Sequence, residues 1–134
     1  MIKIPSSIYN DLIAHAQEEL PIEACGILGG TGDTVTVMNR MVNADASSEH
    51  FTLEPREQFA VYKSLRAREL SVLAIYHSHP TSPARPSAED IRMAYTPGVS
   101  HVIVSLEDPA GPVVKSFLIE NGEVEQEQIE VIDE

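Results

Sequence analysis

Hydrophobic and polar positions change their period several times along this chain, and each change marks an element. Ile4, Ile8, Leu12, Ala16 and Leu20 recur every four residues, which predicts an amphipathic helix over residues 7–19, with Ser6 and Ser7 supplying N-cap chemistry and Pro21 ending it. Glu23-Ala-Cys-Gly-Ile-Leu-Gly29 is short and mostly apolar, and its glycines favour a buried strand over a helix. Residues 34–42 alternate, as a half-buried strand does, with Gly29, Gly30 and Gly32 expected to form the turn between the two. The segment 43–50 is polar and patternless and reads as a loop, and Phe51 to Leu53 has room for a brief further strand.

Pro55 suits the first position of a second helix, on which Phe59, Tyr62 and Leu65 share a face. Ser71-Val-Leu-Ala-Ile-Tyr-His77 is too continuously apolar to have one wet face, so it predicts a central strand. A proline-rich loop over 80–86 leads to a helix expected at 88–95, stopped by Pro97-Gly98. Strands follow at Val102 to Leu106 and Val113 to Ile119, separated by the turn sequence Asp108-Pro-Ala-Gly111, and Asn121-Gly122 predicts a hairpin into a strand over Val124 to Ile132. Helices interspersed with strands and closing hairpins predict an α/β fold, a mixed β-sheet flanked by helices, with residues 1–134 in a single domain.

Composition narrows the setting. Cys25 is the one cysteine, so no internal disulfide forms and a reducing compartment fits best. Residues 1–20 carry no basic leader followed by an apolar stretch, and no apolar run is long enough to cross a bilayer, so a soluble cytoplasmic protein is expected. The net charge of -12 repels phosphate backbones and anionic lipid, which argues against nucleic acid and membranes as partners. Much of the acidity lies in the stretch from Glu120 onward, which reads as a solvated strand and tail.

The candidate chemistry sits at the end of the central strand. His77 and His79 are two apart there, so their imidazoles point to the same side and can converge on one ion, although strand faces also pair histidines without a metal. Ser87-Ala-Glu-Asp90 opens the next helix, where a first-turn carboxylate can face back to the strand end. Two imidazoles and one carboxylate with a fourth position open to water make a catalytic zinc set, whereas structural sites fill all four positions, usually with thiolates. The same Ser87-x-x-Asp90 is close to a capping box, and the cap and ligand readings do not exclude each other. Hydrolysis also needs a base, and Glu23, a carboxylate opening an apolar strand, is the candidate; an exposed strand-end glutamate is the alternative. His15, His50 and His101 lack a second ligand at useful spacing and read as surface or satisfied histidines. Cys25, next to the proposed base, reads as a small packing residue and not a nucleophile. The sequences expected of zinc deaminases, metallo-β-lactamase-like sites and helical His-Glu-x-x-His proteases are absent.

Glu23, His77-Ser78-His79, seven intervening residues, Ser87, two more and Asp90 together resemble the JAMM motif of MPN-domain metalloproteases, with every signature position filled. The resemblance extends over most of the chain, including Pro21-Ile-Glu23-Ala-Cys-Gly26 and Val102-Ile-Val-Ser-Leu106, and is strongest to the small stand-alone bacterial and archaeal members. It implies the MPN/JAB (cytidine-deaminase-like) architecture. It also implies one zinc per chain held by His77, His79, Asp90 and a water, Glu23 as general acid/base, and Ser87 stabilising the oxyanion. The small prokaryotic members are associated with ubiquitin-like sulfur-carrier proteins, cleaved after a C-terminal Gly-Gly. The expectation is therefore a zinc metallopeptidase or isopeptidase acting on such a tail. A non-catalytic module that binds a ubiquitin-like protein's tail is the alternative, against which the intact Glu23 counts, and a small-molecule amide substrate also stays open.

Overall fold

Ile2–Pro5 forms a strand, β1, where Ile4 had fitted the four-residue spacing of the helix that follows. A computed structural model describes residues 1–133 of the 134 and sets the remaining elements in this order: α1 (Ser6–Glu18), β2 (Cys25–Thr31), β3 (Thr34–Met41), α2 (Pro55–Ala67), β4 (Ser71–His79), α3 (Ala88–Arg92), β5 (Ser100–Ser105), β6 (Val113–Glu120), β7 (Glu123–Glu127) and β8 (Ile129–Ile132). The strands make one sheet of eight, ordered β7-β6-β5-β4-β2-β3-β1-β8. β4 runs antiparallel to β2 and parallel to β5, so the sheet is mixed, as expected.

Both faces of the central strands are covered. Leu28, Ala74, Tyr76, Val102 and Val104 pack with Leu12 and Ala16 of α1 on one side. Cys25, Ile27 and Met41 pack with Leu65 of α2 on the other, next to a smaller cluster of Ala84, Ile103, Phe117 and Ile119. At 13 residues, α1 is at the length where an isolated helix is marginal in water, so its docking through Leu12 and Ala16 is what keeps it formed. Among the described residues, no helix is long and apolar enough to cross a membrane.

Several expectations need correction, and the first is the cap of α1: Ser6 and Ser7 lie inside the helix, whose N-cap is Pro5, with no side-chain cap hydrogen bond. Gly29 and Gly30 lie inside β2, not in the turn, which is Gly32 and Asp33 alone; a Cβ on Gly30 would come within 2.0 Å of the Thr34 carbonyl oxygen, so the close pairing with β3 requires glycine there. Phe51 to Leu53 adds no strand beyond a single bridge between Leu53 and Asn43. The helix expected to reach residue 95 stops at Arg92, and Ile91 and Ala94 both pack against the cluster of Ala84, Ile103, Phe117 and Ile119.

The last strand is not continuous either. β7 pairs with β6 and β8 with β1, at opposite edges of the sheet, although only Gln128 separates them. The sheet therefore curls until its two edges meet. Glu127 pins that corner, accepting hydrogen bonds from Ser100 Oγ at 2.6 Å and Ser116 Oγ at 2.8 Å and pairing with the Met1 amino group at 3.4 Å. Asn121 and Gly122 have φ of 52° and 80°, the doubly positive pattern of a tight hairpin turn, which asparagine tolerates and glycine, without a Cβ, adopts freely.

Candidate active site

The pairing of β2 with β4 brings the distant pieces together. Cys25 stands across from His77, Ser78 N–H donates to the Ala24 carbonyl at 3.0 Å, and Ala24 N–H donates to Ser78 Oγ at 2.8 Å. Carried one step further, that register sets Glu23 across from His79, on the face that also bears His77. Glu23 itself precedes β2, which starts at Cys25 rather than at residue 23.

α3 delivers the other side. Ser87 is its N-cap, and a full capping box forms: Ser87 Oγ accepts from Asp90 N–H, and Asp90 Oδ2 accepts from Ser87 N–H at 2.9 Å. That same Oδ2 lies 3.1 Å from His77 Nε2 and 3.0 Å from His79 Nε2, and the two Nε2 atoms are 3.1 Å apart. The structure thus brings His77, His79 and Asp90 to one point and attaches Ser87 to it.

These three residues suit a divalent cation. Donors about 2.0–2.2 Å from a tetrahedral zinc stand roughly 3.3 Å from one another, close to the separations found here. The tautomer also fits: a carbonyl only accepts, so the 2.8 Å contact from His79 Nδ1 to Pro83 O makes Nδ1 the protonated nitrogen. In the neutral ring His79 Nε2 then presents a lone pair towards an anionic oxygen, an arrangement that a cation between them relieves. A metal-ligating histidine commonly anchors its other nitrogen on a backbone carbonyl in this way. His77 is fixed differently, its ring stacked on Phe51 with centroids 4.6 Å apart.

The charges follow from burial and contact. Burial opposes ionisation of Asp90, but the two imidazoles, which attract its carboxylate whenever they carry a proton on Nε2, and the Ser87 N–H outweigh it and hold the carboxyl well below its usual range. Burial pushes His77 down, while the contacts of His79 with Asp90 and Pro83 outweigh its burial and push it up. Glu23 is only 3 % exposed, and its Oε1 has no hydrogen-bond partner among the described residues. Desolvation raises it to about 8, opposed by His79 and reinforced by Asp90 and Glu89. A buried, unpartnered carboxylate is costly to a fold and fits a proton-transfer group working near neutral pH.

Beside the cluster lies a cleft lined by residues 50–53, Ile75, His77, Met93, Tyr95 and His101. His101, read from sequence as surface or satisfied, has its Nε2 buried without a hydrogen-bond partner among the described residues, and burial lowers its pKa. Only its pairing opposite Ile75 across two parallel strands brings it there. His15 is buried against the Tyr76 hydroxyl at 2.8 Å and His50 lies near the surface with Asp45, both outside the ligand cluster. Cys25 is fully buried and lies in the packed cluster with Leu65.

Residues 5–120 match the family described as prokaryotic homologs of the JAB domain. A Mycobacterium tuberculosis protein named CysO-cysteine peptidase is 32% identical over 136 residues, covering 100% of this chain and 93% of that one. A Haloferax volcanii protein named desampylase is 30% identical over 111 residues, covering 78% of this chain and 80% of its own. A solution structure from Desulfitobacterium hafniense is 44% identical with a TM-score of 0.91, covering 100% of this chain and 94% of that chain.

Proposed function

This chain belongs to the family of prokaryotic homologs of the JAB domain, and from that membership we propose that it is a zinc metallopeptidase of the JAMM type that hydrolyses an amide bond following a Gly-Gly tail. One observation carries the reading: a buried carboxyl with an unpartnered oxygen, Glu23, shares a strand-end face with two imidazoles that meet a third donor, Asp90. Structural ion-binding needs the three donors but gives no reason to bury a second carboxyl beside them with an oxygen left without a partner.

His77, His79 and Asp90 would hold the ion. When bound, zinc is a Lewis acid that lowers the pKa of a water and polarises a carbonyl oxygen. Glu23 takes the proton of the attacking water and returns it to the leaving nitrogen, work that favours a group titrating near the operating pH. Ser87 uses its hydroxyl oxygen in the helix cap, which leaves its proton to donate to the substrate carbonyl oxygen as charge builds there. The cleft that His77 lines offers a concave place beside the three donors where a substrate segment can lie.

For the substrate, the relatives named CysO-cysteine peptidase and desampylase support a ubiquitin-like or sulfur-carrier protein joined through its C-terminal tail. The test uses such a carrier extended past its Gly-Gly by one cysteine or a short peptide, incubated with wild type and Glu23→Gln and weighed by mass spectrometry. We expect cleavage after the second glycine by the wild type alone, with zinc in both proteins. Bound zinc with no cleavage by either protein favours a tail-binding module.

A further inference from the structure

Glu23 lies one residue short of Ala24 and two short of β2, so the regular strand ladder does not hold its main chain. Its N–H instead donates to Ser47 O at 2.8 Å, and its carbonyl accepts from Asn43 Nδ2 at 3.1 Å. Among the described residues Oε1 has no hydrogen-bond partner, so no bond at that oxygen holds the far end of the side chain. The location of this carboxyl is therefore set from its backbone, by the loop that follows β3.

Asn43 is the hub of that loop. It is 6% exposed, and its side-chain amide reaches five main-chain groups. Nδ2 faces the carbonyls of Glu23, Ser47 and His50 at 3.1, 3.4 and 3.0 Å, while Oδ1 accepts from the N–H groups of Asp45 at 3.1 Å and Thr52 at 3.2 Å. One end of this web closes on Glu23 directly and again through Ser47. The other end closes on both neighbours of Phe51, the ring stacked on His77. A fully satisfied buried amide of this kind rigidifies what it joins, and no other residue type offers two donors and an acceptor at this reach.

We propose that Asn43 is a positioning residue, a buried amide that fixes the general base Glu23 and the ring over His77 as one unit. The inference rests on Glu23 being the base. A displacement of about 1 Å in a reacting group can lower turnover on the order of 10²-fold, so the loss should fall on kcat.

The test compares Asn43→Ala with Asp45→Ala, both zinc-loaded, on the Gly-Gly-Cys carrier. Asp45 Oδ2 ties Thr52 Oγ1 and His50 Nδ1 in the same loop but makes no bond to Glu23. For Asn43→Ala we expect kcat down by about 10- to 100-fold with KM within about threefold. In the metal-free protein its Glu23 amide should exchange at least about tenfold faster, relative to that of Ile27 in β2. Asp45→Ala should leave kcat within about threefold and that amide unchanged. Equal kcat losses in the two variants, or an unchanged Glu23 amide in Asn43→Ala, overturn the proposal. If Asn43→Ala does not fold, hydrogen exchange of the wild type decides: the Glu23 and Thr52 amides should share one opening free energy, and protection differing by more than about tenfold overturns the unit. Full turnover by Glu23→Gln sinks the reading of the site itself, whatever the exchange shows. An inactive Glu23→Gln beside an undisturbed Asn43→Ala removes only the role of Asn43.

Discussion

Ser87 and Asp90 cap each other, and the Asp90 oxygen that accepts the Ser87 N–H is the one that faces both imidazoles. The helix start and the candidate metal cluster are therefore one arrangement and not competing interpretations of the same residues. α3 has five residues, too few to hold itself in water. The reciprocal cap gives its first turn a fixed direction, and with it the Asp90 carboxylate.

Ser87→Ala separates the two jobs of this serine. The main-chain N–H that holds Asp90 Oδ2 survives the change, so the carboxylate stays aimed and zinc should remain bound. The lost cap should lower stability by about 1 kcal/mol, and the lost hydroxyl donor should lower kcat by about 10²–10³-fold. Metal analysis beside single-turnover kinetics reads both. A purified variant without zinc would mean that Ser87 serves the ion and not the oxyanion.

Asp90→Asn is the complementary change. The amide oxygen can still accept from Ser87 N–H, so α3 and the circular dichroism spectrum should be preserved while the negative charge disappears. Zinc affinity should fall by more than the roughly 10–100-fold typical of losing an outer-shell partner. Competition with a chromophoric chelator measures it, and wild-type affinity in this variant would remove Asp90 from the ligand set.

The sequence makes this cluster readable because its members are local signals: a strand ending in His77 and His79, and a cap motif from Ser87 to Asp90. The central β4, the hairpin at Asn121-Gly122 and the start of α2 at Pro55 are legible for the same reason. What stays hidden depends on partners far along the chain. β1 is four residues whose Ile4 also suits a helix, and only Ile129–Ile132 and β3 make it a strand. Gly30 resembles a turn residue until the Thr34 carbonyl lies against it. His101 enters the cleft lining through a parallel pairing that no local pattern encodes, and the reach of Asn43 spans residues 23 to 52.

Cys25 should be chemically silent. It is fully buried, desolvation pushes its thiol up to about 12, and its weak contact is to Met41 O at 3.9 Å. Alkylation needs the thiolate, which is scarce at such a pKa and shielded by the packing around it. Iodoacetamide at about pH 8 should leave turnover intact, with labelling only as fast as the protein unfolds. Inactivation in step with modification of Cys25 would restore it as a candidate nucleophile.

Glu23 should make the metal-free protein sensitive to pH in a direction set by its raised pKa. Burial lifts the group from 4.5 to about 8 in the folded state, so between these values the folded chain keeps a proton that the unfolded chain has released. The contribution to stability is complete below about 4.5, falls as pH climbs through the window and is gone above about 8. Glu23→Gln places a neutral amide in the same space and cannot ionise. The melting temperature of the chelator-stripped wild type, minus that of the variant, should therefore fall from about pH 5 to about pH 8 and then level off. Titrating groups out of reach of Glu23 are common to both proteins and cancel in the difference. A difference that stays flat across the window would mean that the carboxyl of Glu23 is solvated in the folded protein, and with that the physical basis for treating it as a base tuned by burial would be lost.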